Sequence, residues 1–340
     1  MSHISGSGTS ASDPYIIDEL EDLAPLLQNK SNGINYIAFP EVYDGPKVFD
    51  MRSKGWYSNF INISVDDYYC TKHVYFNGWT ILGMSIKDGS FFRFARTNSP
   101  SNASSHRIIF YDLIIKNMYV IGITTQSFVF HLESSYGNRL DCIRCKISCM
   151  LDGQYAPVGV FVNTVDEEEF HIRECSINAS FTNTATGSGR RVVIIDDWHQ
   201  SRFSFVNTIV SLNSKKWYTT IKGNQQDDMF RCARVQFCKF IGNIIVKEVQ
   251  SAGSGMSLIM GLVYSVYNVI DIAVKLEIGS STALYNDFSG GVHVFNTQHI
   301  TSNTSLTINA SNCIKCNDAQ MIDKDWLNDR FFIVGENSAY

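Results

Sequence analysis

Leu140-Asp-Cys-Ile-Arg-Cys-Lys-Ile-Ser-Cys149 decides the fold. Its apolar residues alternate at Leu140 and Cys142, slip by one residue, and alternate again at Cys145, Ile147 and Cys149. Alternation is the two-residue period of a strand. A slip of one residue marks a bend between two short strands, since the extra residue would otherwise turn the face outward. The same template falls on Val74, Phe76, Trp79 and Ile81, and on Ile108, Phe110, Leu113 and Ile115. Further copies start at Phe170, Phe203, Ala233 and Tyr267, with a degraded one near Thr301, in steps of 34, 32, 30, 33, 30, 34 and 34 residues. A period in this range means a stacked array in which each unit covers its neighbour's open face.

A third short strand follows in most copies: Ser90–Phe94, Ser127–Leu132, Val158–Val162, Arg191–Ile195, Tyr218–Ile221, Ser257–Val263 and Gly291–Phe295. Three short parallel strands per coil, stacked coil on coil, predict an all-β chain, a right-handed parallel β-helix of about eight coils. At a strand spacing of about 4.8 Å the rod is on the order of 35–40 Å long. A β-sandwich also has many short strands, but its strands lack this constant phase. The ladder at the bend reads Trp79, Leu113, Cys145, Cys175, Thr208, Cys238, Ile272, Leu306.

The expected organisation has four parts. Residues 1–17 are a Ser/Gly-rich flexible lead-in for attachment, and 18–66 hold the N-terminal cap and irregular first strands. Residues 67–312 are the β-helix, and 313–340 a C-terminal cap or oligomer contact. Asp18–Gln28 reads as an amphipathic capping helix, with Leu20, Leu23, Leu26 and Leu27 on one side and Asp18 as its cap. Such a helix covers the strand edge that a solenoid otherwise leaves bare.

Composition narrows the function. A net charge of −5 and a pI near 5.9 argue against nucleic acid, whose binders need a basic surface. No apolar run approaches the ~20 residues of a membrane span. The start Met1-Ser-His-Ile-Ser-Gly shows no signal peptide, so folding in a reducing cytoplasm is expected, with nine cysteines kept as thiols.

Two CxxC pairs, Cys142/Cys145 and Cys313/Cys316, suggest a four-thiolate zinc site. Five coils separate them, roughly 24 Å, so core packing is the reading for these cysteines and no metal or other cofactor is expected. The acidic residues are the candidates for chemistry. Glu133, Asp166 and Asp196 end the third strands of successive coils and are expected to stack at one corner, at separations of about 5–10 Å that bracket those of glycosidase carboxylates. Trp198 and His199 follow directly, and with Trp217 and Tyr218 they are the candidate glycan-binding residues. Against this, Asp and Asn favour turns for local reasons. Asp66-Asp67, Asp227-Asp228 and Glu167–Glu169 read as solvated loop charges, and Trp56, Tyr57, Tyr68, Tyr69, Trp217 and Tyr218 as loop aromatics suited to carbohydrate or protein contact.

The coil repeat from Val74 to about Ala310, with Gly6-Ser-Gly-Thr9, Asp13-Pro-Tyr-Ile-Ile17 and Leu20-Glu-Asp-Leu23 ahead of it, resembles the pectin-lyase-like β-helix group. Within it the chain is most similar to the viral branch of bacteriophage tailspikes and appendages. The lyases' calcium-binding aspartates and catalytic Arg or Lys do not map onto this sequence. What the resemblance implies is a homotrimeric virion component: a tail fibre, spike, appendage or decoration protein made in the host cytoplasm. Its N-terminal segment would meet other virion proteins and its flank a host-surface glycan, without chemistry. The alternatives are a tailspike-type glycan hydrolase using Glu133, Asp166 and Asp196, and a bacterial adhesin or carbohydrate-binding module.

Overall fold

The computed structural model describes residues 4–28, 33–41, 47–64, 70–95, 106–133, 138–153, 156, 158–163, 169–182, 192–197, 202–220, 230–232, 234–236, 239–250, 256–262, 265–266, 269–277, 292–296, 305–308 and 332–333. Beyond residue 181, side chains are described only for 206–211 and 213. The described residues form an all-β, mostly parallel solenoid of about three turns with one short helix, and further strands join its two sheets in the same order. The first strands of the coils, among them Gly33–Ala38, Cys70–Tyr75, His106–Tyr111, Arg139–Ile143 and Glu169–Arg173, build a nine-stranded sheet. The second and third strands lie together in an 18-stranded sheet. Ile114–Gly122, Lys146–Gly153 and Ser176–Thr182 are second strands; Ser127–Glu133 and Val158–Asn163 are third strands. Trp56–Ser64 and Ser85–Ala95 serve as both, their first residues pairing on the second-strand face and their last on the third.

The bend is a left-handed residue. Asp112, Arg144, Glu174 and Asn207 have φ of 57°, 54°, 54° and 51°. The N–H of each of the first three donates to the coil above: Asp112 to the Ile143 carbonyl, Arg144 to Arg173 and Glu174 to Val206, all at 3.0 Å. The inter-coil ladder therefore runs through the bend without a break. Asn tolerates this conformation; Arg and Glu do so at a cost of about 1 kcal/mol each. Behind the bend, Leu113, Cys145, Cys175 and Thr208 are buried in one column. Polar atoms there satisfy backbone: the Cys175 thiol lies 3.1 Å from the Arg173 carbonyl and the Thr208 hydroxyl 3.0 Å from that of Val206.

The core is a set of in-register columns. Phe92, Phe130 and Phe161 share one, and Phe110, Cys142 and Ile172 face it from the first sheet. Phe130 stacks on Phe161 at 5.2 Å, and Phe92 meets Phe110 edge-on at 5.3 Å. Each such fully buried ring contributes roughly 1.5–3 kcal/mol. Near the N-terminal end the interior turns polar: Lys72 is 1% exposed, and Cys70 Sγ lies 3.2 Å from His106 Nδ1.

Several expectations are corrected. Val74 pairs with Phe110 rather than Ile108, because the corner Phe76-Asn77-Gly78 holds two residues more than its successors. Gly242 pairs with Ile272, so the copy expected at Tyr267 is displaced by four residues. The third strand expected at Tyr218–Ile221 is Phe230–Cys232, which pairs with Ile195. Trp56, Tyr57, Trp217 and Tyr218 belong to strands, not loops. The helix is only Leu23–Gln28, preceded by a 3-10 turn Leu20–Asp22, and the residue at its cap is Glu19, with no side-chain cap bond. Pro25 lacks the N–H that an earlier α-helical start would need. Leu20, Leu23 and Leu27 are buried as expected, while Leu26 is half-buried. Parallel pairing begins already at Gly33–Ala38, and Tyr15–Ile16 pairs with Ile37–Ala38.

Candidate functional site

The register separates the acidic residues named above. Asp196 lies opposite Val162, which lies opposite His131, which lies opposite Arg93. Glu133 is two positions further along its strand and two coils away from Asp196. Their backbones are therefore roughly 12 Å apart rather than one coil spacing, and the Asp196 side chain lies outside the described ones. Strand ends do not define a column here; the inward ladder Phe92, Phe130, Phe161, Ile195 does. The Glu133 carboxylate is held by Arg93, whose Nε donates at 2.5 Å. Asp166, Trp198 and His199 lie outside the described residues, as do Tyr68, Tyr69 and both CxxC cysteines Cys313 and Cys316. Trp217 and Tyr218 are placed by backbone alone, opposite Val246 and Lys247.

The third-strand face around Glu133 is covered. Phe91, Val129 and Val160 are 0% exposed although the core columns lie on the other side of their strands. His131, on the same outward side, is 5% exposed. Burial pushes its pKa down to about 4, against an opposing pull from Glu133, so the ring is neutral at pH 7.

The densest array of described polar side chains is on the outward face of the first sheet. Tyr36 stacks on His73 at 4.8 Å, and Tyr75 on Tyr111 at 4.6 Å with planes 9° apart. His73 is 5.9 Å from Tyr111 and nearly parallel to it, and its Nδ1 lies 3.1 Å from the Tyr111 hydroxyl. Neighbouring strands bring these residues together in register: Tyr36 opposite His73, Tyr75 opposite Tyr111. The Arg144 guanidinium closes the row 5.9 Å from the Tyr111 ring and pairs with Asp112 through two bonds of 2.8 and 2.9 Å. Because ring faces meet each other, edges and hydroxyls are what the row offers to solvent.

Beside the rings runs a chain of charges. Asp141, 1% exposed, accepts from Arg107 Nε at 2.6 Å and Arg139 Nε at 2.7 Å. Arg139 reaches on to Glu169 at 3.7 Å, and His171 Nε2 lies 3.0 Å from the same carboxylate oxygen. Burial pushes the pKa of both His73 and His171 down, so both are neutral at pH 7. Glu169 is therefore the half-buried start of a strand and not a solvated loop charge. This face can bind through hydroxyls and guanidiniums. Among the described carboxylates on it, Asp141 and Asp112 are each held by arginine, and Glu169 lies between Arg139 and His171.

Cys142, Cys145, Cys149 and Cys175 are buried free thiols. Burial raises Cys142, Cys145 and Cys149, the last to about 12, and the hydrogen bond with Cys145 followed by burial raises Cys175, which makes all four packing groups and not nucleophiles. Among the described residues no group of three or more His, Cys, Asp or Glu is arranged to hold a metal ion, and no helix is long and apolar enough to cross a membrane. No protein-family model, no curated protein and no solved structure matches this chain.

Proposed function

We propose that the protein is a non-catalytic structural component of a bacteriophage virion, a fibre, spike, appendage or decoration subunit. Its flank binds a host-surface glycan. The observation that carries this is the tyrosine, histidine and arginine row on the outward face of the first sheet, rigidly spaced by strand register. Hydroxyls and guanidiniums fixed on a sheet suit a polyhydroxylated ligand, and a face already stacked and ion-paired needs little ordering to bind. The rod continues as a right-handed, pectin-lyase-like β-helix of about eight coils through residue 312. It assembles as a homotrimer, and the N-terminal segment meets other virion proteins. Synthesis is in the host cytoplasm and the final location is the particle.

An array of bacterial surface polysaccharides tests the binding. The protein is expected to be retained on at least one of them without releasing reducing ends, and a Tyr75→Ala/Tyr111→Ala double variant to bind at least tenfold less. Release of reducing ends that disappears in Asp196→Asn would establish the glycan hydrolase instead. Purified virions are expected to contain the polypeptide; their lack of it would remove the virion assignment.

A further inference from the structure

The second-strand face carries a different surface, free of charge along its central column. Trp56 pairs with Ser85, Ser85 with Tyr119, Tyr119 with Met150, and Met150 with Ser180. All five point away from the core, since Ile86, Val120, Leu151 and Phe181 beside them are buried inward. Trp56 is 53% exposed and Met150 39%. Trp56 lies 5.5 Å from Tyr119, across the small Ser85, with planes 55° apart. An indole leaning over a serine keeps a broad ring face open to solvent.

Beside it is a buried polar group with an unmet bond. The Tyr119 hydroxyl donates to Asp152 Oδ2 at 2.8 Å. Asp152 is 7% exposed, and its Oδ1 has no hydrogen-bond partner among the described residues. A buried carboxylate oxygen without a donor has an acceptor position to offer to water or to a ligand hydroxyl. With its proton directed at Asp152, Tyr119 keeps its lone pairs for a second donor.

We infer that Trp56, Tyr119 and Asp152 form a subsite for an uncharged pyranose, distinct from the charged row on the first sheet. The inference rests on the glycan-binding reading and gives it a second contact point. The indole covers the apolar C–H face of the sugar. The Tyr119 hydroxyl accepts from a sugar hydroxyl at the ring edge, and a second sugar hydroxyl donates to Asp152 Oδ1 after a small movement of the carboxylate. An aromatic plate beside a few fixed polar atoms is the make-up of a small-ligand site. An acidic sugar fits poorly, because its carboxylate would approach that of Asp152.

Affinity electrophoresis through gels containing dextran or galactomannan, neutral polymers of glucose or of galactose and mannose, tests the inference. The intact protein is expected to be retarded in at least one. Trp56→Ala, whose side chain is half in solvent and whose melting temperature should stay near that of the parent, is expected to weaken retardation at least tenfold. Tyr119→Phe is expected to weaken it several-fold, and Glu19→Gln, at an exposed position ahead of the helix, to leave it unchanged. Undiminished retardation of Trp56→Ala would overturn the subsite. Loss with Tyr111→Ala alone would also overturn it while upholding the first-sheet face. No retardation of the parent in either gel, with binding retained on the bacterial array, would overturn the subsite and leave the wider glycan reading standing. Failure on both would sink both.

Discussion

The first sheet and the third-strand face are built on the same coils, yet one presents its outward side chains and the other hides them. Cys70–Tyr75 alternates buried and half-buried along its length. Ser127–Leu132 is buried at every position. The contrast is one of sequence pattern. His73 and Tyr75 alternate with Lys72 and Val74, whereas Phe128-Val-Phe-His-Leu132 runs apolar almost without a break, as strands covered on both sides do. The lesson concerns location of function: a ligand can reach the alternating strand directly, while anything outward on the continuous strand sits under a layer of protein.

Charge insertion is the severest way to break this comparison. Val129→Asp places an unpaired carboxylate where exposure is 0% and is expected to cost several kcal/mol, about 4 or more, read as loss of the urea transition. Tyr75→Asp, at the half-buried outward position, is expected to cost no more than about 2 kcal/mol by the same measurement. Equal losses would show that the two faces are equally covered.

Acid sharpens the contrast next. The fold holds His131 neutral, with its pKa lowered from 6.5 to about 4. A depressed histidine contributes stability that is whole above 6.5 and is lost as pH falls from 6.5 toward 4, because the unfolded chain takes up the proton first. The loss is about 3 kcal/mol for a shift of this size. Denaturant midpoints between pH 7 and 4 are expected to fall for the parent and to fall less for His131→Gln. His73 and His171 are shifted the same way and add to the slope left in that variant. On the first sheet, Asp141→Asn leaves Arg107 and Arg139 without their shared carboxylate. It is expected to cost about 2–3 kcal/mol, less than for a fully buried pair because both guanidiniums reach solvent. The smallest effect belongs to the bend both faces share. Glu174→Gly is expected to be close to neutral, and Glu174→Val to cost about 1–2 kcal/mol, since its φ of 54° disfavours a β-branched residue.

The inward columns were legible in the sequence because they repeat two signals at once, an alternation of two and a step near 32. From Leu113 to Phe240 the template and the observed pairing agree. It failed at Val74, where the corner is longer, and at Tyr267, where the observed step to the next coil is 30 residues and not 34 (Val235 to Ser265, Gly242 to Ile272); a rigid template absorbs neither. The slip at Arg144 and Glu174 was visible as a bend, but its left-handed backbone was not, since neither residue type favours it. The first-sheet site was missed because the template followed apolar residues and skipped the positions between them. The signal was present there: Tyr36 against His73, Tyr75 against Tyr111, and Arg107 against Arg139 each recur one coil on, though at unequal steps of 37, 36 and 32 residues. At the acidic corner the strand ends Asn163 and Asp197 pair as aligned, while Glu133 lies one position beyond Leu132, the residue opposite Asn163; the inward ladder of Phe92, Phe130, Phe161 and Ile195 carries the register.

Hydroxyl-radical footprinting with residue-level mass spectrometry measures the difference between the faces directly. The expected result is ready oxidation of Tyr36, His73, Tyr75 and Tyr111, with Phe91 and His131 protected until the protein is unfolded. Oxidation of Phe91 and His131 at rates matching Tyr111 in the folded protein would contradict the account.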